Sequence, residues 1–544
     1  MPLALLLLAA TAWYLSFFNA FAVPNTDFFA FRQNALDYLR LSPPESFKRL
    51  PVFPILIGIL SLGIPGPHPV LLAAEMLNLL LAPVCLWLVY RIARRFLGTG
   101  SSFAVTALCA VNHTMVFSAT QPLLEMVLLT TILLAVDLSL RGSRWAYAAA
   151  FLASMTRYEA AVLIPGLVLQ DLWSGASRNK RTSILLGCAA SIGIVAWIAL
   201  SAMTHDAANP YVKEIFERES NYTVFLEGSL RVAADVLPRG LLGIKALREL
   251  FFLTALGLFA TGLIVLIRRH RASSVTITGF LGAYVLIHVI FPGYQPRYVL
   301  PILWTLYLGM AKGLEALMAT VEIKFHSVAL TRWVRWGAIA GLGWVCAAVA
   351  VRMAAARLAD LFVFALCCGA ALWFWYQAGG VARGMRVSSW CVPALALCAA
   401  LGFGLRASSR EMQGDSVRNH KAQFRAVVEW YQGAAKPGDK LVVTMPWVVS
   451  YYSGLPDEYF VASGTFEASS LSEWLTEVKA RHITYVVWDS DYGANSTSYH
   501  ARRFKAELLG TLREQQPSEF EVVHEVRLGT KTAIIYRLNP EVGA

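Results

Sequence analysis

The sequence predicts a polytopic α-helical membrane protein of about thirteen transmembrane helices with a small soluble α/β domain at its C-terminus. Three observations predict it. Apolar residues make up 57% of the 544 positions and mean hydropathy is +0.53, beyond the apolar share of a soluble domain. Apolar runs of about 20 residues, the length that crosses a bilayer, recur up to Leu405. After Leu405 the composition changes: RASSREMQGDS reads as a linker, and helix-like and strand-like segments then alternate.

The net charge of +12 raises nucleic acid as a partner, but its distribution excludes that reading. From Arg410 on, 15 Lys+Arg face 17 Asp+Glu, so the preceding part carries +14. Those basic residues lie in short loops between apolar runs, which is a topology signal.

Residues 1–22 lack the basic start of a signal peptide and are followed by further apolar runs, so they read as a retained first helix. Spans are predicted near 2–23, 68–90, 101–119, 122–140, 145–157, 160–173, 183–203, 247–267, 275–291, 298–318, 336–352, 358–376 and 387–405. Six basic clusters fall in alternate loops: Arg91/Arg94/Arg95, Arg141/Arg144, Arg178/Lys180/Arg181, Arg268/Arg269/Arg271, the 324–335 loop and Arg383/Arg386. The positive-inside rule places all six in the cytoplasm. The loop bearing Asp27, the turn with Gln121 and Glu125, the Arg157-Tyr158-Glu159 turn, the 204–246 loop, the Tyr294 to Tyr298 turn and the C-terminal domain then share the outer side.

Two loops read as interfacial helices. In 24–67, Phe28, Phe29, Phe31 and Tyr38 alternate with Arg32, Asp37 and Arg40. The apolar piece LPVFPILIGILSLGIPG that follows is too short and too proline-rich to span. In 204–246, Tyr211, Ile215, Phe216 and Tyr222 alternate with Lys213, Glu214, Glu217 and Arg218. The predicted division is therefore a membrane domain over 1–406 and an extracytoplasmic α/β domain over 407–544. In the latter, Asp415 or Ser416 caps a helix through Tyr431, 440–445 and 482–488 are buried strands, and 521–538 is a hairpin turning near Gly529.

All eight cysteines lie in apolar runs without zinc-like partners, and no Walker-type or dinucleotide glycine motif is present. No cofactor is expected, and no ligand spacing indicates a divalent metal.

Ionisable residues at membrane depth are costly and point to function. The candidates are Asp27 with Arg32 after the first helix, Glu125 in QPLLEMVLL, Arg157, Tyr158 and Glu159 in MTRYEAAVL, and Tyr294, Arg297 and Tyr298 in FPGYQPRYVLP. Each has a competing plain reading: a solvated loop acid, a headgroup-level carboxylate, a salt bridge closing a hairpin, or a snorkelling arginine in an aromatic belt. Together they describe transfer from a phosphate-bearing lipid. A lipid phosphate departs as an anion and needs fixed positive charge, which Arg157 and Arg297 supply with planar geometry. An attacking hydroxyl must lose a proton, and Asp27 is the general base, with Glu125 the second acid.

The first-loop acid, KRLPVFPILIG, the acid in QPLLE, TRYEA and QPRYVLP, in this order over roughly residues 1 to 320, resemble the GT-C superfamily of polyprenyl-phosphate-sugar glycosyltransferases. That superfamily includes protein O-mannosyltransferases and lipid A aminoarabinose transferases. Where many members pair two acids in the first loop, this chain has Asp27 followed by Phe28. The resemblance implies a multi-pass hexosyl- or pentosyltransferase of a bacterial inner membrane, active on its outer face. Its partners would be a polyprenyl-phosphate-linked sugar donor, a lipid, glycan or protein acceptor and membrane lipids, with inversion at the anomeric carbon and, as in many members, no metal. Oligosaccharyltransferases are the second reading within the superfamily, although their WWDYG motif is matched only by WDSDYG from Trp488. A transporter or lipid flippase is the alternative from another class, and its repeated halves and broken mid-membrane helices are not evident.

Overall fold

The computed structural model describes residues 2–44, 47–173, 180–203, 245–290, 295–324, 401–402, 404–491, 505–515 and 518–539. The spans predicted at 336–352 and 358–376, nearly all of the one at 387–405, and the interfacial helix in 204–246 lie outside these residues, as does Tyr294. The chain divides into two compact units, Met1–Phe18 with Ala30–Arg410, and Asn19–Phe29 with Glu411–Ala544.

The first unit is helical. It contains α1 (Pro2–Leu15), α2 (Asp27–Leu39, from Ala30 on), α3 (Val52–Ser61), α4 (Pro69–Ala93), α5 (Thr99–Val111), α6 (His113–Thr120), α7 (Glu125–Leu140), α8 (Trp145–Ser154), α9 (Leu163–Trp173), α10 (Lys180–Met203), α11 (Lys245–Arg269), α12 (Arg271–Ile290) and α13 (Leu300–Lys324). Four of the described helices are long and apolar enough to cross a membrane: α4, α10, the Phe252–Arg269 part of α11, and α12. A fifth arises if α5 and α6, bent by 58°, count as one span. The chain is an integral membrane protein of fewer full-length described spans than the sequence predicts. The apolar runs on either side of TRYEA form α8 and α9, of 10 and 11 residues. At 1.5 Å per residue each rises about 15–17 Å, half of a ~30 Å hydrocarbon core. α3, with 10 residues, is equally short.

Polar side chains pin the bundle at defined levels. Asn78 on α4 donates to the carbonyls of Gln121 and Leu123 at 2.5 and 2.7 Å, fixing the turn that precedes α7. At the other end of α7, Arg141 and Arg91 reach the buried Asp137 at 2.6 and 3.6 Å. The break between α5 and α6 falls at Asn112, whose backbone is extended. Its Oδ1 accepts from the Thr114 amide, and its Nδ2 donates to the Tyr307 hydroxyl at 3.0 Å. The carbonyls left at the end of α5 are taken by side chains, Ala110 O by Tyr14 Oη and Val111 O by Ser408 Oγ. α11 and α13 cross at backbone contact. A Cβ on Gly262 would collide with the Gly309 carbonyl, and one on Gly313 with the Leu258 carbonyl. Small residues four apart permit this approach in helices that lack a hydrophobic drive to associate.

The second unit holds a five-stranded sheet of β1 (Leu441–Val443), β2 (Phe460–Ala462), β3 (Tyr485–Asp489), β4 (Phe520–Leu528) and β5 (Lys531–Leu538), in the order β2-β1-β3-β5-β4. The first three are parallel, and β5 and β4 are antiparallel. Its helices are α14 (Ala422–Ala434), α15 (Pro446–Ser453), α16 (Leu471–Ala480) and α17 (Ala506–Gln515). Val442, Val486, Trp474, Leu512 and Tyr536 share one core. The hairpin turns at Gly529, where φ of +60° favours glycine. Asp415 differs from expectation. It opens only a four-residue turn, and α14 begins at Ala422 after Lys421 in left-handed backbone. The Asp415 carboxylate instead accepts from the amide and hydroxyl of Thr530 at 3.1 and 3.0 Å, clasping the hairpin turn.

Candidate active site

Within the first unit, three turns bring charge together. Glu125 is the first residue of α7. Arg157 is extended (φ −154°, ψ 135°) just before a 3₁₀ turn over Tyr158–Val162. Arg297 lies in another such turn, Pro296–Val299, where the proline fixes the entry to α13. These local breaks release the three side chains from helix faces and aim them inward.

The Arg157 Nε donates to both oxygens of Glu159 at 3.1 Å. Its guanidinium lies over the Tyr298 ring, 4.3 Å from the centroid, and that of Arg297 at 5.5 Å. Glu125 Oε1 faces both cations, 3.9 Å from Arg157 Nη1 and 3.6 Å from Arg297 Nε, beyond hydrogen-bonding distance. The other oxygen, Oε2, is buried and has no hydrogen-bond partner among the described residues. The Glu125, Arg157 and Arg297 side chains are 3%, 14% and 11% exposed, so these charges act on one another in a medium poorer than water. The Nη groups of Arg157 make no hydrogen bond among the described residues, which leaves a planar N–H edge for an oxyanion. Two arginines and two carboxylates thus lie together in one buried cluster.

His288 and Tyr284 on α12 complete the cluster, and sequence reasoning passed over both. His288 Nε2 is 3.8 Å from Glu159, its Nδ1 is 2.9 Å from the Tyr284 carbonyl, and its ring lies 4.2 Å from that of Tyr284, tilted by 34°. Tyr284 Oη donates to the Tyr298 carbonyl at 2.9 Å, fixing the turn that carries Arg297. The signal was available, since an ionisable residue four positions after a tyrosine in an apolar helix shares its face. A further acid on α4, Glu75, is buried with Oε2 unpartnered among the described residues.

The remaining predicted residues lie elsewhere or act differently. Tyr158 turns from the arginines. Its hydroxyl donates to the Phe47 carbonyl at 3.4 Å, which Trp197 Nε1 also contacts at 3.0 Å. Arg32 is half-buried in the second turn of α2. Asp27 groups with the second unit. Its amide donates to Asn25 Oδ1 at 3.0 Å, an arrangement that starts α2 and leaves the carboxylate in the first turn, where the helix dipole favours negative charge. Asn112, which begins an N-x-T triplet, is 2% exposed and serves the helix break. No group of three or more His, Cys, Asp or Glu suited to a metal ion comes together among the described residues.

No family model matches the sequence, and no curated protein matches it. Solved structures do match. ArnT from Cupriavidus metallidurans in the apo state is similar over 98% of this chain and 97% of its own, with TM-score 0.56 and 15% identity. The same protein bound to undecaprenyl phosphate covers the same shares at TM-score 0.55 and 15% identity. The oligosaccharyltransferase of Archaeoglobus fulgidus in the apo form is similar over 90% of this chain and 69% of its own at TM-score 0.49 and 10% identity. The likeness to ArnT over nearly the whole length of both chains shows a shared fold, the one that the resemblance of the sequence implies.

Proposed function

We propose that this chain, with the fold of ArnT, is a GT-C membrane glycosyltransferase that moves a sugar from a polyprenyl-phosphate donor to an acceptor on the extracytoplasmic face. The observation that carries the reading is the buried cluster of Arg157, Arg297 and Glu125 over Tyr298, which offers planar cationic groups to an oxyanion. The ArnT structure bound to undecaprenyl phosphate supports a lipid phosphate as the anion. Residues 1–406 form the transferase domain in this reading, and 407–544 an extracytoplasmic domain. The alternation of basic loops supports that orientation.

Asp27 takes the proton of the acceptor hydroxyl as its oxygen attacks the anomeric carbon from the face opposite the phosphate. The bond between that carbon and the phosphate oxygen breaks, its electrons leave with the polyprenyl phosphate, and the configuration inverts. Arg157 and Arg297 bind the departing phosphate, where charge grows in the transition state. Tyr298 supports the guanidinium groups, and Tyr294 and Arg32 belong to the same substrate-binding set. Glu159 orients Arg157, and Tyr158 anchors the turn through Phe47. Glu125 turns its unpartnered oxygen to a donor hydroxyl. The acceptor is a lipid, glycan or protein of the cell envelope.

The test is release of polyprenyl phosphate and sugar transfer by the purified chain from a panel of polyprenyl-phosphate sugars, beside Asp27→Asn and Arg297→Lys. Asp27→Asn cannot accept a proton and should lose roughly two to four orders of magnitude in turnover while keeping lipid binding. Arg297→Lys keeps the charge, loses the fork, and should weaken donor binding. A lipid flippase would bind the lipid and form no product with wild type. Equal turnover by folded Asp27→Asn would remove Asp27 from the role of base.

A further inference from the structure

Around the turn that opens α7, Glu75 Oε2, Asn78 Oδ1 and Glu125 Oε2 are buried and meet no hydrogen donor among the described residues. Asn78 is wholly buried and Glu75 is 6% exposed. The two stand three residues apart on α4 and so share one of its faces, while the exposed Met76 and Leu80 mark the opposite one. The orientation of the Asn78 amide is fixed. Its Nδ2 donates to the carbonyls of Gln121 and Leu123 at 2.5 and 2.7 Å, and turning the group over would set oxygen against oxygen. Oδ1 therefore faces away from those carbonyls.

The register of the two helices places these oxygens. Asn78 meets Leu123, and seven residues further along each segment Cys85 Sγ lies 3.0 Å from Thr130 Oγ1, so α4 and α7 run parallel. Glu75 precedes the level of Asn78 by three residues, and Glu125 follows it by two. At 1.5 Å per residue the two acids are roughly 7–8 Å apart along the axis, with Asn78 between them. One sugar ring covers such a stretch with a hydrogen bond at each edge. A carboxylate taken from water without a partner is costly, and at membrane depth it points to function. These oxygens only accept, so the ligand that satisfies them must bring donors. Glu125 joins them to the arginines, since its Oε1 faces Arg157 and Arg297 while Oε2 is left over.

We infer that Glu75 and Asn78 are specificity-determining residues of the donor site, accepting hydrogen bonds from hydroxyl groups of the sugar while Arg157 and Arg297 hold its phosphate. The inference rests on the transferase reading of the arginine cluster. It assigns the α4 face to the sugar and the two 3₁₀ turns to the phosphate. A sugar that lacks the matching hydroxyl leaves a buried acceptor bare, so the site selects by what the wrong sugar fails to satisfy. A polyprenyl phosphate without a sugar makes none of these bonds.

The experiment uses the full chain in lipid nanodiscs as wild type, Glu75→Met and Glu75→Gln. The probes are the polyprenyl-phosphate sugar that wild type turns over best, its monodeoxy analogues, and undecaprenyl phosphate alone. In wild type, kcat/KM falls roughly 10- to 100-fold for at least one analogue. Glu75→Met loses a similar factor with the parent sugar and nothing further with that analogue, so the two losses do not add. Glu75→Gln, which keeps the shape and one acceptor oxygen, falls between. Undecaprenyl phosphate binds all three proteins equally. Exchanging an unpaired buried acid for an apolar side chain of similar volume should leave Tm unchanged, and Tm is measured for each. Additive losses at every hydroxyl, or an equal loss in binding of undecaprenyl phosphate, would overturn the inference and leave Glu75 a packing residue. A wild type that discriminates against no analogue rejects it whether or not the variants fold. A wild type that binds undecaprenyl phosphate yet forms no product from any sugar would instead remove the transferase reading, and the inference with it.

Discussion

Substituting Glu125→Gln should have opposite effects on two properties. In wild type, Oε1 sits 3.9 and 3.6 Å from two arginine nitrogens. Each pair is worth about 4 kcal/mol of gross attraction at an effective dielectric constant near 20, offset by the cost of dehydrating the carboxylate. Glutamine keeps the shape and removes the charge, leaving two buried guanidinium groups against Glu159 alone. Removing one partner of a buried ionic group costs roughly 3–5 kcal/mol, so the variant should be clearly less stable without ligand. The same change removes the anion that a phosphate must displace. Undecaprenyl phosphate should therefore bind more tightly by about 1–2 kcal/mol, roughly 5- to 30-fold, and raise the variant's Tm more than that of wild type. Transfer should fall, because the unpartnered Oε2 is lost as an anionic acceptor. Thermal unfolding in detergent across a titration of undecaprenyl phosphate reads both effects. A variant as stable as wild type, with no greater response to the lipid, would refute the view that Glu125 holds the place of a phosphate.

Two further outcomes follow from packing and from charge. Gly262→Val drives a side chain into the Gly309 carbonyl and should destabilise the protein by about 3 kcal/mol or more, while Gly257→Ala, whose Cβ meets nothing within 4 Å, should be close to neutral in the same melts. His420 is brought from 6.5 to about 4 by burial and then by the charge of Lys421. The unfolded chain thus takes up this proton near pH 6.5 and the folded chain only near 4. The associated stability is complete above pH 6.5 and is lost as pH falls towards 4, amounting to about 3 kcal/mol. Denaturant melts at pH 7 and pH 4 should show this loss in wild type and a smaller one in His420→Gln, and equal losses would remove the assignment.

The sequence singled out the charged residues of the first unit better than it placed them. Glu125, Arg157, Glu159 and Arg297 stand out because a charge between apolar runs is costly, and the fold brings these four together beside Tyr298. That Glu125 faces both arginines depends on how three separate turns pack, which hydropathy does not encode. His288 escaped because the acid it faces, Glu159, lies in a separate turn more than a hundred residues earlier. The hairpin at Gly529 was legible from alternation and a turn residue, whereas α14 was misplaced at its start. Asp415 has the composition of a helix cap, but Thr530, 115 residues away, takes its carboxylate.

The bend at Asn112 bears on how this bundle can move. A broken helix in a membrane protein is often a hinge, because its bare carbonyls exchange partners cheaply when water reaches them. Here the carbonyls of Ala110 and Val111 are held by Tyr14 on α1 and by Ser408, nearly three hundred residues further on, while Asn112 itself is tied to Tyr307 on α13. Straightening the corner would break both side-chain bonds at once, at about 1–3 kcal/mol for each buried hydroxyl stripped of its acceptor. The corner is thus a rivet through four parts of the chain, and α6, with the turn that follows it, is carried as a rigid shelf for Glu125.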